Sequence, residues 1–222
     1  MPPSKVTTVG LLAFWTGLGL AARAYASAYD WRYMTISSLL YQDRNPYGYL
    51  WGRAGLASCG VCGLYWVLKG VRGHGLTTAS LAAGYGCMAL CALLPSPLLG
   101  VPKSHEILAL TAFIAVCVGV TRLSFAALIS ERQVFGQAGR RRLYALAVSS
   151  LPLLPVLLAA AAQIHAARAR LPWVSLAWPA RGISVYWSFA FWEWVACALY
   201  TTFLLWLVLG KRPAILPQRH TC

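Results

Sequence analysis

Long apolar runs separated by short polar connectors pattern the chain. Six of them approach or exceed the ~20 residues needed to cross a hydrocarbon layer about 30 Å thick: roughly Val6–Ala26, Leu50–Leu68, Leu76–Leu94, Glu106–Leu128, Leu143–His165 and Trp187–Gly210. The pattern predicts an all-α fold, a polytopic membrane helix bundle with six transmembrane helices in a single domain over residues 1–222. No repeat or low-complexity tract divides it. Small residues at A-x-A spacing in AARAYASA resemble a signal-peptide cleavage site, but the run before them is long for a signal and the rest of the chain is itself polytopic, so a retained first helix is expected. Pro152 and Pro155 predict a kink in the fifth span, because each removes a backbone donor and crowds the preceding turn. Gly55, Cys59 and Gly63 on the second span, and Ala82 and Gly86 on the third, recur every four residues and predict close helix approach.

Composition agrees with the pattern. The chain has 222 residues, of which 59% are hydrophobic and 11% charged, with a mean hydropathy of +0.61; soluble domains carry roughly 25% charged residues. A net charge of +14 would suggest a nucleic-acid partner in a soluble protein. Here most cations fall at the ends of apolar runs, where they set orientation, so no nucleic-acid partner is expected. Lys5, Lys69, Arg72, Arg132, Arg140–Arg142, Lys211, Arg212 and Arg219 lie on one side; Arg32, Arg44, Lys103, Arg168, Arg170 and Arg181 lie on the other. The richer side is read as cytoplasmic, which puts both termini inside, and the expected location is the bacterial cytoplasmic membrane. Aromatics such as Tyr29, Trp31, Tyr47, Trp51, Trp178 and Trp187 then form an interfacial layer on the opposite face. Cys59, Cys62, Cys87 and Cys91 lie within spans and read as small packing residues. Cys59-x-x-Cys62 lacks further ligands at zinc spacing, and no metal or other cofactor is expected.

Candidate chemistry gathers on the non-cytoplasmic side. The polar, aromatic connector from Tyr29 to Arg53 contains Tyr33, Ser37 and Asp43, and Arg53 enters the second span from it. His105 and Glu106 open the fourth span, where a helix amino terminus favours an anion; a helix cap with a dipole-compensating Glu explains them equally. Glu193 lies about two turns into the last span, where a carboxylate needs a partner or a wet cavity, and Arg53 or Arg23 is the expected partner. His105 and His165 share this side and could together hold haem or a metal, although no signature spacing supports it. Neither a G-x-S-x-G elbow nor an H-E-x-x-H motif is present: His105-Glu106 is followed by Ile107, Leu108 and Ala109.

The segments YDWRYMTISSLL, NPYGYLWGRAGL, GYGCMALCALLP, SHEILALTAFIAV and FWEWVACALY occur in an order that resembles the six-helix membrane proteins of the DRAM/Frag/Sfk group and the related bacterial family called domain of unknown function 998. The resemblance implies six spans. It also implies that Ile36–Ser38, His105 and Glu193 match the family's recurrent polar positions, with eukaryotic relatives linked to lysosomal autophagy and GPI-anchor lipid remodelling. The chain lacks an acidic residue beside its ISS segment until Asp43.

The combined expectation is a multi-pass lipid-binding or lipid-handling protein, with membrane lipids as partners and a site formed by Tyr33, Ser37, Asp43, Arg53, His105, Glu106 and Glu193. No residue is assigned as catalytic. Two alternatives stand beside it. One is an accessory subunit packed against other membrane protein subunits; the other is an intramembrane hydrolase or acyltransferase using His105 with Glu106 or Glu193, which requires imidazole and carboxylate within roughly 3 Å or bridged by one water.

Overall fold

The computed structural model describes residues 2–71, 75–94, 104–130, 138–171 and 178–209, which form seven α-helices and no β-strand among the described residues. The helices are α1 Pro3–Arg23, α2 Tyr49–Gly70, α3 Gly75–Leu93, α4 Ser104–Ser130, α5 Ala138–Ser150, α6 Leu153–Arg168 and α7 Phe189–Leu209. Short 3₁₀ turns occupy Ile36–Leu39, Pro179–Arg181 and Val185–Trp187. The cations at 72, 103, 132, 211, 212 and 219, and the side chains of Arg140–Arg142, which the orientation reading used, lie outside the described residues.

Local sequence explains the helix limits. Pro3 starts α1 at the first helical position, where its missing N–H costs nothing. The entry to α2 is set by Asn45-Pro46-Tyr47-Gly48: the Asn45 side-chain oxygen accepts the Gly48 N–H at 3.1 Å, closing a turn of the kind Asn favours. Arg23 and Lys69 occupy the last turns of α1 and α2, where a cation complements the helix dipole.

Four helices, α1, α3, α4 and α7, are long and apolar enough to cross a membrane. Less than half of each apolar window is buried inside the protein, only 22% for α7, and Leu12, Leu76, Leu110 and Leu157 point large apolar side chains outward. Apolar surface on this scale suits a hydrocarbon solvent. The chain is therefore compatible with a multi-pass membrane protein. α5 and α6 together make a fifth apolar element, bent by 49° between Ser150 and Leu153. The kink expected from the prolines falls at Pro152, and the Tyr200 hydroxyl on α7 donates to the Pro152 carbonyl at 3.0 Å, satisfying a backbone group beside the break. α2 falls short of the same apolarity although it is 22 residues long; Arg53 and Lys69 both lie within it.

Consecutive helices α1 to α4 pack side by side, α7 meets both α1 and α4, and α6 packs on α7. The interior contains Leu18, Leu39, Val67, Leu81, Val120 and Ala196, all essentially inaccessible. α1 and α2 approach backbone to backbone: a Cβ added at Gly17 would lie 2.5 Å from the Trp51 carbonyl oxygen and 2.9 Å from the Gly55 Cα. The predicted small face on α2 is thus used. On α3 it is displaced, because nothing lies within 4 Å of a Cβ at Gly86, whereas one at Gly84 would meet the Val116 backbone nitrogen of α4 at 2.9 Å. Fourfold spacing identified a small stripe on α3 but not which edge of the helix faces a neighbour.

Candidate functional site

The ends of α1 and α3 and the starts of α2, α4 and α7 come together at one end of the bundle, where the connector of residues 24–48 packs; the end of α6 meets the turn before α7, His165 against Trp187. Four sets of contacts dock that connector. Asn45, fully buried, donates through its amide to the Ala21 carbonyl at 2.9 Å and the Leu39 carbonyl at 3.4 Å, fixing the connector to the end of α1. The Tyr41 ring lies 4.7 Å from the His105 imidazole between centroids, fixing it to α4. Tyr33 donates its hydroxyl to the Ile183 carbonyl at 3.1 Å, tying it to the segment before α7.

The fourth set involves Glu193. One of its carboxylate oxygens accepts the Ile36 N–H at 3.0 Å. Ile36 is the first residue of the 3₁₀ turn, and no side chain of the turn's own N-cap, Thr35, fills that role. Glu193 is therefore a capping group supplied from a distant helix. The expected ion pair with Arg53 or Arg23 is not formed; Asp30–Arg32 is the ion pair found among the described residues. Glu193 lies four residues into α7, one turn rather than two, because the helix starts at Phe189 and not at Trp187. Beside it, Trp194 donates its indole N–H to the Tyr29 hydroxyl at 3.1 Å, and that hydroxyl in turn reaches the Met34 carbonyl at 2.8 Å. Burial pushes the Tyr29 phenol well above its usual range, so it stays a neutral donor.

Arg53 has a different task. Its guanidinium donates to the Ala92 carbonyl at 2.7 Å and the Leu94 carbonyl at 2.5 Å, covering the unpaired carbonyls where α3 ends. His105, buried, meets the same last turn of α3, with Nδ1 3.2 Å from the Cys91 sulfur. The structure thus brings Arg53 and His105 onto one helix end.

The remaining expected residues do not join them. Asp43 and Glu106 are exposed, and Ser37 is half-buried, its backbone carbonyl accepting from Leu40 N–H. No hydrogen bond links His105 to Glu106 or Glu193 among the described residues, so the acid–base pairing needed for hydrolase chemistry is not assembled there. His165 stacks on Trp187 at 4.0 Å and does not share a partner with His105. Among the described residues no group of three metal-ligating side chains occurs, and all six described cysteines are free thiols.

Sequence reasoning missed Asn45, Tyr41 and Cys91. Asn45 had a signal in its N-P turn dipeptide. Cys91 had none, since its role depends on the α3 end meeting the start of α4.

Comparisons with protein-family models, with curated proteins and with solved structures find no match.

Proposed function

We propose that the protein is a six-span integral membrane protein that holds anionic lipid at its connector end, with α2 and the bent α5–α6 pair as the remaining spans. On this reading the chain is a single domain with both termini cytoplasmic, lies in a bacterial cytoplasmic membrane and is related to the DRAM/Frag/Sfk group and the domain-of-unknown-function 998 family.

The observation that supports lipid binding is a charge imbalance. Of the arginines at this end, Arg32 is ion-paired, while Arg23, Arg44, Arg53, Arg168, Arg170 and Arg181 have no carboxylate within 4.0 Å among the described residues. At a membrane surface the available counter-charges are lipid phosphates, and each cation near an anionic surface contributes about 1 kcal/mol of attraction. Arg44 is the best placed: it is exposed, its guanidinium lies 5.8 Å from the centre of the Tyr41 ring, and it reaches the Ser38 hydroxyl at 3.4 Å. Tyr47, Trp51, Tyr186 and Trp187, from the connector, the start of α2 and the segment before α7, are exposed rings of the kind suited to headgroup depth.

The test is purification in mild detergent followed by lipid mass spectrometry. Arg44→Gln combined with Arg168→Gln is expected to lower co-purifying phosphatidylglycerol several-fold relative to phosphatidylethanolamine, and an unchanged ratio refutes the reading.

A second reading, an accessory subunit, is favoured by Gly19 on α1 and Gly86 on α3, where an added Cβ would meet nothing within 4 Å. Such bare backbone suits close approach by a foreign helix. Native mass spectrometry that finds only monomer or self-oligomer counts against it.

A further inference from the structure

Midway along the bundle, α1, α2, α3, α4 and α7 surround a partly open cavity of about 60 Å³. Its wall includes Leu11, Phe14, Tyr85, Ala112, Phe113 and Leu204 and is almost wholly apolar. α7 closes this ring and packs more sparsely on α1 and α4 than α1 to α4 pack on one another. Phe113, a half-buried ring, meets Tyr200 edge-on across the α4–α7 seam at 6.0 Å.

Depth and size restrict the occupant. The α7 residues in the wall run from Cys197 to Leu204, four to eleven residues beyond Glu193. At 1.5 Å per residue they lie about 6 to 17 Å below the connector, against about 15 Å for half of a 30 Å hydrocarbon core. An aromatic ring is too large, since a cavity that takes benzene measures about 150 Å³. Ordered water needs two to four polar partners. The wall residues offer the Tyr85 hydroxyl, unpartnered among the described residues, the Tyr200 hydroxyl, which already donates to the Pro152 carbonyl at 3.0 Å, and the Thr201 hydroxyl, which already donates to the Cys197 carbonyl at 2.8 Å and accepts the Trp15 indole N–H at 3.0 Å. Cys thiols add only weak donors.

We propose that this cavity holds the terminal methylene segment of one lipid acyl chain from the connector-side leaflet, entering along the α4–α7 seam beside Phe113. The inference rests on the lipid-binding reading above and names the part of the lipid that goes inside the bundle. It assigns the wall residues on α4 and α7 as determinants of chain length, a property distinct from headgroup charge.

The test uses the full chain in vesicles of phosphatidylethanolamine and phosphatidylglycerol, the latter with a photoactivatable diazirine near the end of one acyl chain. After illumination, peptide mass spectrometry is expected to place the label on α4 and α7 wall residues such as Phe113 and Leu204. Leu204→Phe and, as an independent filler from another helix, Ala112→Val should each lower that label several-fold, while Tyr85→Phe leaves it unchanged. Label confined to outward residues such as Ile114 and Leu110 overturns the proposal. So does loss of label in Tyr85→Phe with retention in both fillers, which points to a polar occupant. Co-purifying phosphatidylglycerol is measured in the same samples. Anionic lipid retained without wall label overturns this inference alone, and wall label without anionic-lipid retention upholds it and refutes the headgroup reading.

Discussion

Along α1 and α2 the two backbones meet through Gly17 and Gly55 with no side chain between them, whereas the connector joining the same helices is held by Asn45, Tyr33, Tyr29 and Glu193. The contrast follows the solvent. Inside hydrocarbon, lipid tails are as apolar as Leu, so helices associate by dispersion at close range, which glycine permits. At the connector end the backbone leaves helical geometry and its N–H and C=O groups need partners, which the connector's own side chains and those of α7 supply. One seam depends on what is absent at a position and the other on what is present.

That difference can be broken from either side. The largest effect is expected at the glycine seam: Gly17→Val forces backbone apart and should cost roughly 3 kcal/mol or more, read as a lowered unfolding midpoint in detergent. Gly86→Val, with open space around it, should leave the midpoint within experimental error; equal losses at the two sites would remove the seam from the explanation.

Next comes Asn45→Ala, which takes the amide donor from the buried Ala21 and Leu39 carbonyls, while the Gly48 N–H keeps the backbone carbonyl of residue 45, and should cost about 2 kcal/mol. Hydrogen exchange over residues 36–48 should quicken while that in α2 does not. Glu193→Ala should cost about 1–2 kcal/mol through the lost cap at Ile36. Glu193→Gln keeps an acceptor oxygen and should recover most of it; a glutamine variant as poor as alanine shows that the negative charge, not the cap, is what the position needs.

Tyr200→Phe removes the donor to the Pro152 carbonyl and should cost about 1 kcal/mol, with faster exchange near the α5–α6 bend. The smallest effect belongs to the exposed Asp30–Arg32 pair. The Arg32 guanidinium hydrogen-bonded to Asp30 holds its carboxyl below the usual range, so whatever stability the pair contributes is present above that range and lost as pH falls through the lowered value. Asp30→Asn should leave the unfolding midpoint at neutral pH unchanged, because exposed pairs are screened by solvent.

Much of the fold was legible because membrane spanning is a one-dimensional constraint. Every predicted span corresponds to a helix or, for the fifth, to a bent pair; Pro152 and Pro155 together predicted a kink there, and the bend falls between Ser150 and Leu153, at Pro152 and not at Pro155. α2 shows the limit, since length and flanks resemble a span while its own apolarity falls short. The candidate site was legible only as a location. Tyr33, Arg53, His105 and Glu193 make their contacts near helix ends joined by the connector, because successive helices in a bundle bring alternate ends together. Their partners were not legible: Arg53 was expected opposite Glu193, yet it covers α3 carbonyls 39 and 41 residues away in sequence, and Glu193 faces a backbone amide. Opposite charges suggest pairing in a sequence, but in an apolar bundle an orphaned helix end or turn is an equally strong demand and leaves no mark in residue type.

The short apolarity of α2 also bears on how the protein is made. With Gly17 against Gly55 and Arg53 needing the end of α3, α2 has no stable place in the bilayer by itself on the six-span reading. It would enter as the second arm of a hairpin with α1, and Arg53 would be released from the aqueous interface only once α3 had arrived to receive it. Biogenesis is then ordered by a helix that must be accompanied on both sides, and a ribosome-bound chain ending shortly after Gly70 should be extractable from membranes more readily than one ending after Leu94.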